Sequence, residues 1–166
     1  MLLDLLPSHS RVFCDANVLT YAFLGVDETS QVCSALLQRS AGREIDLYTS
    51  SFQASHTIHR IMVREAMAVF GHELGKVVAF LKKHPEHVRS LTEYKRIPGE
   101  FSRARVRILD VTYREIHASK QYRDDYGLLT DDSIMLAVME RHNLVDLATN
   151  DEDFKRIPGL RLWMPD

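Results

Sequence analysis

Short apolar runs alternate along the chain with longer segments in which apolar residues recur every three or four positions. The short runs, typical of buried strands, read VFC, IDLYTSS, VRILDV and LVDLATN. A further run, LRLWMP, is closed by Pro165, so we expect an edge strand there. Strands that alternate with helices favour a mostly parallel sheet with helices on both faces. The sequence therefore predicts an α/β fold with a sheet of four or five strands.

The segments between these strands have helical spacing. We expect helices through Leu24 and over residues 28–40, 51–70, 72–84, 113–125 and 130–142, with one helical turn in DEDFKRI. Ser50 or Ser51 is a suitable N-cap for the third helix, and Thr130 for the helix at 130–142. Residues 86–105 have a weaker pattern, which predicts short helices with a break at Pro98.

Length and composition place the chain among ordinary globular proteins. Its 166 residues, 45% hydrophobic and 27% charged, predict a single domain over residues 1–166. The net charge of −2 excludes whole-molecule attraction to nucleic acid, so any such binding needs a local basic face. No apolar run approaches the roughly 20 residues of a membrane span. We therefore expect a cytoplasmic protein with no membrane partner.

Three acidic residues stand where strands end or helices begin. Asp15 ends the first strand, Asn150 and Asp151 follow the fourth, and Asp132 lies in the first turn of a helix. Ligands of open α/β sheets bind outside the carboxyl ends of the strands, so these three carboxylates are expected to meet at one edge. Oxygen ligands suit Mg²⁺ or Mn²⁺. Taken singly, each acid is also explained as a helix cap or a dipole partner.

Three motifs, in order, resemble those of PIN-domain ribonucleases. The stretch VFCDANVLTYAF is similar to the first motif of that family, YGLLTDDSIMLAVM to the third, and LATNDEDFKRIPGLRLWMP to the final motif and closing strand. The resemblance implies a three-layer PIN-like α/β fold. It also implies that Asp15, Asp132 and Asp151 are catalytic acids and metal ligands, with Asp131 as the variable residue beside Asp132.

The same resemblance implies a function and partners. It points to a metal-dependent endoribonuclease similar to VapC-type toxins, with Mg²⁺ or Mn²⁺ as cofactor and RNA as substrate. Asp153 is expected as an auxiliary metal ligand, and Thr149 and Asn150 as residues that shape the last loop. A homodimer and an inhibitory antitoxin protein are further implications. Asn17 and Asn150 are predicted to contact substrate.

One position departs from the family pattern. PIN nucleases carry a Glu in the helix after the second strand, and the matching register in SSFQASHTIHRIM places His56 there. Glu65 lies half a helical turn out of phase with His56, so it is a poor substitute. Because imidazole suits Mn²⁺ or zinc better than Mg²⁺, His56 is a candidate metal ligand. The site can then prefer Mn²⁺, be weakened, or be a relic.

Basic and histidine-rich positions supply the remaining candidates. Arg60 and Arg64 follow His56 at intervals of four and can hold an RNA backbone, although a solvated helix face explains them equally. The pair His84 and His87 has a metal-compatible spacing, but Pro85 lies between them, so no zinc site is expected there. Two other functions stay open: a catalytically degenerate PIN-like module that binds RNA or protein, and an unrelated phosphohydrolase that uses the same acids.

Overall fold

The sheet at the centre of the molecule is entirely parallel. The computed structural model describes residues 1–25 and 27–165. Five strands pair in the order β3-β2-β1-β4-β5. Their bounds are β1 Arg11–Cys14, β2 Asp46–Ser50, β3 Arg107–Leu109, β4 Asp146–Ala148 and β5 Arg161–Trp163. The predicted α/β fold with a parallel sheet is confirmed, and the strand at the C-terminal end lies at an edge as expected.

The described residues form eight α-helices and two short 3₁₀ helices. The α-helices are α1 Ala16–Leu24, α2 Glu28–Ala41, α3 Ser51–Phe70, α4 Leu74–Lys83, α5 Pro85–Ser90, α6 Glu93–Arg103, α7 Tyr113–Tyr126 and α8 Thr130–Arg141. The 3₁₀ helices span Leu3–Leu5 and Glu152–Arg156. In the part of the chain described here, no helix is both long and apolar enough to cross a membrane.

Side chains of the central strand β1 point alternately into two separate hydrophobic cores. Val12 and Cys14 of β1 pack into one cluster with Leu36 of α2, whereas Phe13 packs into a second cluster with Met135 of α8. Successive side chains of a strand point to opposite faces of the sheet, and all three of these β1 residues are fully buried. Both faces of the sheet are therefore covered by helices, which gives the predicted three layers.

A third, smaller core lies away from the sheet. Val63 and Ala66 of α3 pack against Val77 and Leu81 of α4 and against Leu91, which follows α5. All five side chains are buried. This helical elaboration accounts for the middle of the chain, where the sequence pattern was weakest.

Two local predictions were wrong. Thr130 does not cap α8: it is the first residue of that helix, and Leu129 holds the N-cap position without a side-chain hydrogen bond. Pro98 does not separate two helices either, because it lies inside the single helix α6. Proline has a φ compatible with a helix and removes one N–H donor, and the buried neighbours Ile97 and Phe101 hold α6 against the first core. By contrast, Ser50 caps α3 as predicted, with its hydroxyl accepting from the Gln53 N–H at 3.1 Å.

A buried carboxylate joins α7 to α8. Glu115 is 1% exposed; its Oε2 accepts hydrogen bonds from the N–H and hydroxyl of Thr112, and its Oε1 accepts from Arg141 at 3.0 Å. Burial by itself raises the pKa of Glu115, but the bonds from Thr112 and the charge of Arg141 outweigh it and lower that pKa to about 2. Glu115 is thus held ionised in the folded protein.

We expect Glu115→Gln to lower the free energy of unfolding at pH 7 by about 1–3 kcal/mol, because buried donors lose their charged acceptor. A carboxyl whose folded pKa is depressed stabilises the protein above its unfolded pKa, near 4.5. That contribution is lost as the pH falls from about 4.5 towards 2. Urea unfolding of both proteins across this range measures the difference, which should shrink with acid. Glu152→Gln, which removes an exposed ion pair with Lys155, is the control and should change little.

Candidate active site

The first acid of the site is held in place by two donors. Asp15 follows β1, occupies the N-cap position of α1 and is 8% exposed. Its Oδ2 accepts hydrogen bonds from the Thr149 hydroxyl at 2.8 Å and from the Asn17 amide at 2.6 Å. Burial raises the pKa of Asp15, while the Thr149 bond and the charge of Arg60 lower it, and burial prevails. The two hydrogen bonds therefore orient the Asp15 carboxylate, while burial disfavours its charged form.

Thr149 organises the loop that follows β4. This fully buried residue donates its backbone N–H to the Trp163 carbonyl at 3.1 Å, which continues the β4–β5 pairing beyond the strands. Its hydroxyl donates to Asp15 and also accepts from the Asp151 N–H at 3.1 Å. One hydroxyl therefore fixes two of the three predicted acids relative to each other.

Asn17 also forms hydrogen bonds with the loop that follows β4. Its amide nitrogen donates to Asp15 and to the Thr149 hydroxyl, at 2.6 and 3.2 Å, and its Oδ1 accepts from the Asn150 N–H at 3.1 Å. Both ends of this amide are engaged within the protein, so the structure gives Asn17 a positioning role. Substrate contact by Asn17 and Asn150 stays a prediction.

Four neighbouring acids act electrostatically on Asp132. It lies half-buried in the first turn of α8, where burial, followed by the charges of Asp15, Asp151, Asp131 and Asp153, raises its pKa to about 6. These carboxylates come from three remote segments and act on one another, as the sequence predicted. We use the name acid rim for Asp15, Asp132 and Asp151.

The other two members of this surface are less buried. Asp151 is half-buried, caps the 3₁₀ helix, and accepts the Asp153 N–H at 2.8 Å. Asp153 is exposed and pairs with Arg156 at 3.3 Å. The charge of Asp153 is the last of the causes that raise the pKa of Asp132, and its auxiliary role as a metal ligand stays a prediction.

The donor set of the acid rim suits a divalent cation. All its side-chain oxygens are carboxylate oxygens, and both causes that raise the pKa of Asp132, burial and then the charges of neighbouring acids, are relieved by a nearby cation. The carboxylates are not drawn into a closed cage: within the described residues, three ligand groups lie within 4.8 Å of one another only at His84, Glu86 and His87. The three carboxylates of the acid rim therefore do not all lie within 4.8 Å of one another.

His56 lies next to the acid rim. It is half-buried in the second turn of α3, its Nε2 is 3.8 Å from Oδ2 of Asp131, and its ring packs on Phe52 with centroids 4.5 Å apart. The residue in the place of the family Glu thus contacts the variable acid beside Asp132.

Glu65 caps the start of α6. Its carboxylate accepts the backbone N–H groups of Thr92, Glu93 and Tyr94 at 2.6, 3.0 and 3.3 Å. These are free donors at the start of α6, which a carboxylate satisfies well. Glu65 therefore ties α3 to α6 and does not replace the missing Glu.

One buried polar residue of the site was missed by sequence reasoning. Gln53, 3% exposed in the first turn of α3, accepts the N–H of Ala16 at 3.2 Å through its side-chain oxygen. It thereby links the start of α3 to the start of α1, directly after Asp15. The available signal was a polar residue on a helix face that also carries the buried Ala54 and Thr57.

A groove with a volume of about 520 Å³ adjoins the acid rim. Asn17, which bonds to Asp15, forms part of its wall, and so do Arg60 and Arg64 of α3 and Leu74 and Val78 of α4. Both arginines are exposed. The charge of Arg60 acts on Asp15, and that of Arg64 acts on Asp27. The predicted basic face is therefore on the wall of a groove that leads to the acids.

Known structures share this fold. The chain superposes on VapBC2 from Rickettsia felis bound to a promoter DNA fragment with a TM-score of 0.59 and 18% identity, covering 94% of this chain and 99% of that one. It also superposes on VapC20 from Mycobacterium tuberculosis, described as a toxin that cleaves the sarcin–ricin loop. There the TM-score is 0.54 and the identity 15%, with coverage of 89% and 95%.

Sequence comparison agrees with the structural likeness. The chain is 26% identical over 158 residues to Ribonuclease VapC6 from Methanocaldococcus jannaschii, covering 93% of this chain and 97% of the relative. The family model of the PIN domain matches residues 12–160, a span that contains β1 from its second residue, all of β4 and the whole acid rim. With this match and the parallel sheet that carries the acids, the chain belongs to the PIN-domain family.

Proposed function

We propose that this protein is a metal-dependent endoribonuclease and the toxin of a VapC-type toxin–antitoxin pair, formed by a single domain over residues 1–166. The observation that carries the proposal is that acids from three segments act on one another: burial, followed by the charges of Asp15, Asp151, Asp131 and Asp153, raises the pKa of Asp132 to about 6. Two relatives support it by name: one is called a ribonuclease and the other a toxin that cleaves the sarcin–ricin loop.

Asp15, Asp132 and Asp151 are the residues that would hold Mg²⁺ or Mn²⁺, with Asp153 in support and His56 as a further candidate ligand. Their oxygen donors and mutual repulsion fit such an ion. When bound, a divalent ion lowers the pKa of water and neutralises charge on a phosphodiester. Imidazole at His56 favours Mn²⁺ over Mg²⁺.

The protein's own groups prepare this site. Thr149 and Asn17 fix the carboxylate of Asp15 through hydrogen bonds to Oδ2, so no reorganisation is needed when a substrate arrives. Gln53 holds the first turn of α1 behind it. Arg60 and Arg64 supply positive charge along the adjoining groove, where they would bind RNA phosphates by replacing counterions.

We expect Asp15→Asn to reduce cleavage of a long mixed-sequence RNA by about 100-fold or more, the size of loss typical when a key electrostatic group is removed. Cleavage is measured with wild type and variant at equal concentration in Mg²⁺ and in Mn²⁺. Asp124→Asn, an exposed acid of α7 paired with Lys120, is the matched control and should cleave like wild type.

Equal cleavage by wild type and Asp15→Asn would assign the activity to a contaminant and contradict the proposal. Hydrolysis of small phosphate esters without cleavage of RNA would instead identify an unrelated phosphohydrolase.

A second candidate function follows from His56. The resemblance puts His56, whose Nε2 lies 3.8 Å from Asp131, where the family has a Glu, so a carboxylate is missing from the expected ligand set. A catalytically degenerate PIN-like module that binds RNA or protein is the alternative that this substitution favours.

The variant His56→Glu separates the two functions. If His56 is a working ligand, wild type cleaves RNA best in Mn²⁺, and His56→Glu shifts the preference towards Mg²⁺ because a carboxylate replaces imidazole. His59→Glu adds the same charge one turn further along α3 and is the control. Cleavage that appears only in His56→Glu would show that the native chain is degenerate.

The partners of the proposed toxin are a homodimeric copy and an antitoxin protein. Solved structures of this fold include a toxin–antitoxin complex from Klebsiella pneumoniae and DNA-bound VapBC from Salmonella typhimurium. Sedimentation of the purified chain measures its own oligomeric state, and a monomer at all concentrations would contradict the homodimer.

A further inference from the structure

The junction between α4 and α5 turns sharply at a histidine. His84 is at once the C-cap of α4 and the N-cap of α5, and Pro85 is the first residue of α5. The N–H of His87 donates to the carbonyl of His84 at 3.0 Å, which completes the turn. Pro85 therefore does not separate His84 from His87; the bend brings them together, contrary to the expectation from sequence.

The bend gathers three potential metal ligands. One ligand atom from each of His84, Glu86 and His87 lies within 4.8 Å of the other two. Nδ1 of His84 is 3.2 Å from Oε1 of Glu86, and Nε2 of His87 is 4.0 Å from the same oxygen. Ligand atoms around a tetrahedral zinc ion lie about 3.3–3.4 Å apart, given bonds of about 2.0–2.1 Å. Small side-chain movements would bring all three atoms into that geometry.

Aromatic neighbours restrict the two imidazoles. The His87 ring stacks on Phe80 with an interplanar angle of 17° and centroids 5.0 Å apart, and it also packs on Phe70 at 4.6 Å. The His84 ring packs on Phe80 at 4.7 Å. Both rings lose rotamer freedom before any ion binds, which lowers the entropic cost of coordination.

We propose that His84, Glu86 and His87 form a binding site for a zinc ion, with three protein ligands and one position open to water. Two neutral imidazoles and one carboxylate suit Zn²⁺ far better than Mg²⁺, whereas the oxygen-only acid rim suits Mg²⁺ or Mn²⁺. The two sites therefore differ in metal preference. The inference is independent of the proposed nuclease function, since it uses none of the same residues.

A bound zinc ion at this junction would hold α5 against the end of α4. These helices, with α3, enclose the third core, in which Val77 and Leu81 of α4 pack against Leu91. Because an ion that binds only the folded state stabilises it, Zn²⁺ is expected to raise the melting temperature of the protein. Lys82 and Lys83 lie exposed beside the site, and their charge makes the binding weaker than at a closed four-ligand site.

The test uses the full chain without a histidine tag, stripped of metal and then kept in excess Mg²⁺ to occupy the acid rim. Zn²⁺ is titrated by calorimetry into wild type, the double variant His84→Asn/His87→Asn, and Asp15→Asn. His117→Asn, which alters an exposed histidine of α7, is the matched control. Melting temperatures are recorded for each protein with and without Zn²⁺.

We expect wild type, His117→Asn and Asp15→Asn each to bind one equivalent of Zn²⁺ that the double variant does not bind. The rise in melting temperature with Zn²⁺ should disappear in the double variant alone. Equal zinc binding by wild type and the double variant would overturn the proposal, and so would binding that is lost only in Asp15→Asn. Because no RNA is present, an inactive nuclease leaves the result interpretable.

Discussion

The hydrogen bond from Thr149 to Asp15 joins residues 134 positions apart, and the geometry of the acid rim depends on it. Parallel pairing of β1 with β4 places Cys14 opposite Ala148, and the Asp15 N–H donates to the Ala148 carbonyl at 3.0 Å. The residue that follows Cys14 is the buried acid Asp15, and the residue that follows Ala148 is Thr149, which is also buried. Their bond offsets part of the cost of burying a carboxylate, since a buried charge needs hydrogen-bonding partners.

The acid rim opposes the stability of the fold around it. Elsewhere the buried carboxylates are paired: Asp146 accepts from Arg161 and from Trp163, and its pKa is lowered. Burial instead raises the pKa of Asp15, and burial followed by the charges of neighbouring acids raises the pKa of Asp132. Strain of this kind persists where the surrounding structure holds it and a ligand relieves it. The contrast separates Asp146, whose charged form the fold stabilises, from Asp15 and Asp132, whose charged forms it disfavours.

The two metal-ligand clusters follow the same division of chemistry. At the carboxyl edge of the sheet, loops bring oxygen donors from remote strands to an open surface. At the junction of α4 and α5, consecutive residues supply imidazoles beside one carboxylate. Hard oxygen sites and borderline imidazole sites select different ions from the same mixture.

Much of the fold was readable because its signals are local. Apolar runs marked all five strands, and Gly71 and Gly127 end α3 and α7 in the left-handed conformation expected of a C-cap. Local signals failed where packing overrides propensity. Pro98 stays inside α6 because its neighbours Ile97 and Phe101 are buried in the first core. Thr130 was assigned to a cap, whereas the chain enters α8 one residue earlier.

The sequence by itself determined that Asp15 and Asp151 follow parallel strands and that Asp132 begins a helix, and from this it predicted that the three share one edge. Only the tertiary structure decided which neighbour each polar side chain has. In the folded chain Glu65 caps α6 and His56 lies beside Asp131. Thr149 and Asn17 both donate hydrogen bonds to Asp15. Side-chain alternation in strands and apolar spacing in helices are periodic and survive in the sequence pattern, whereas strand order came only from the structure. Contacts between helices depend on packing and rotamers, which no local period records.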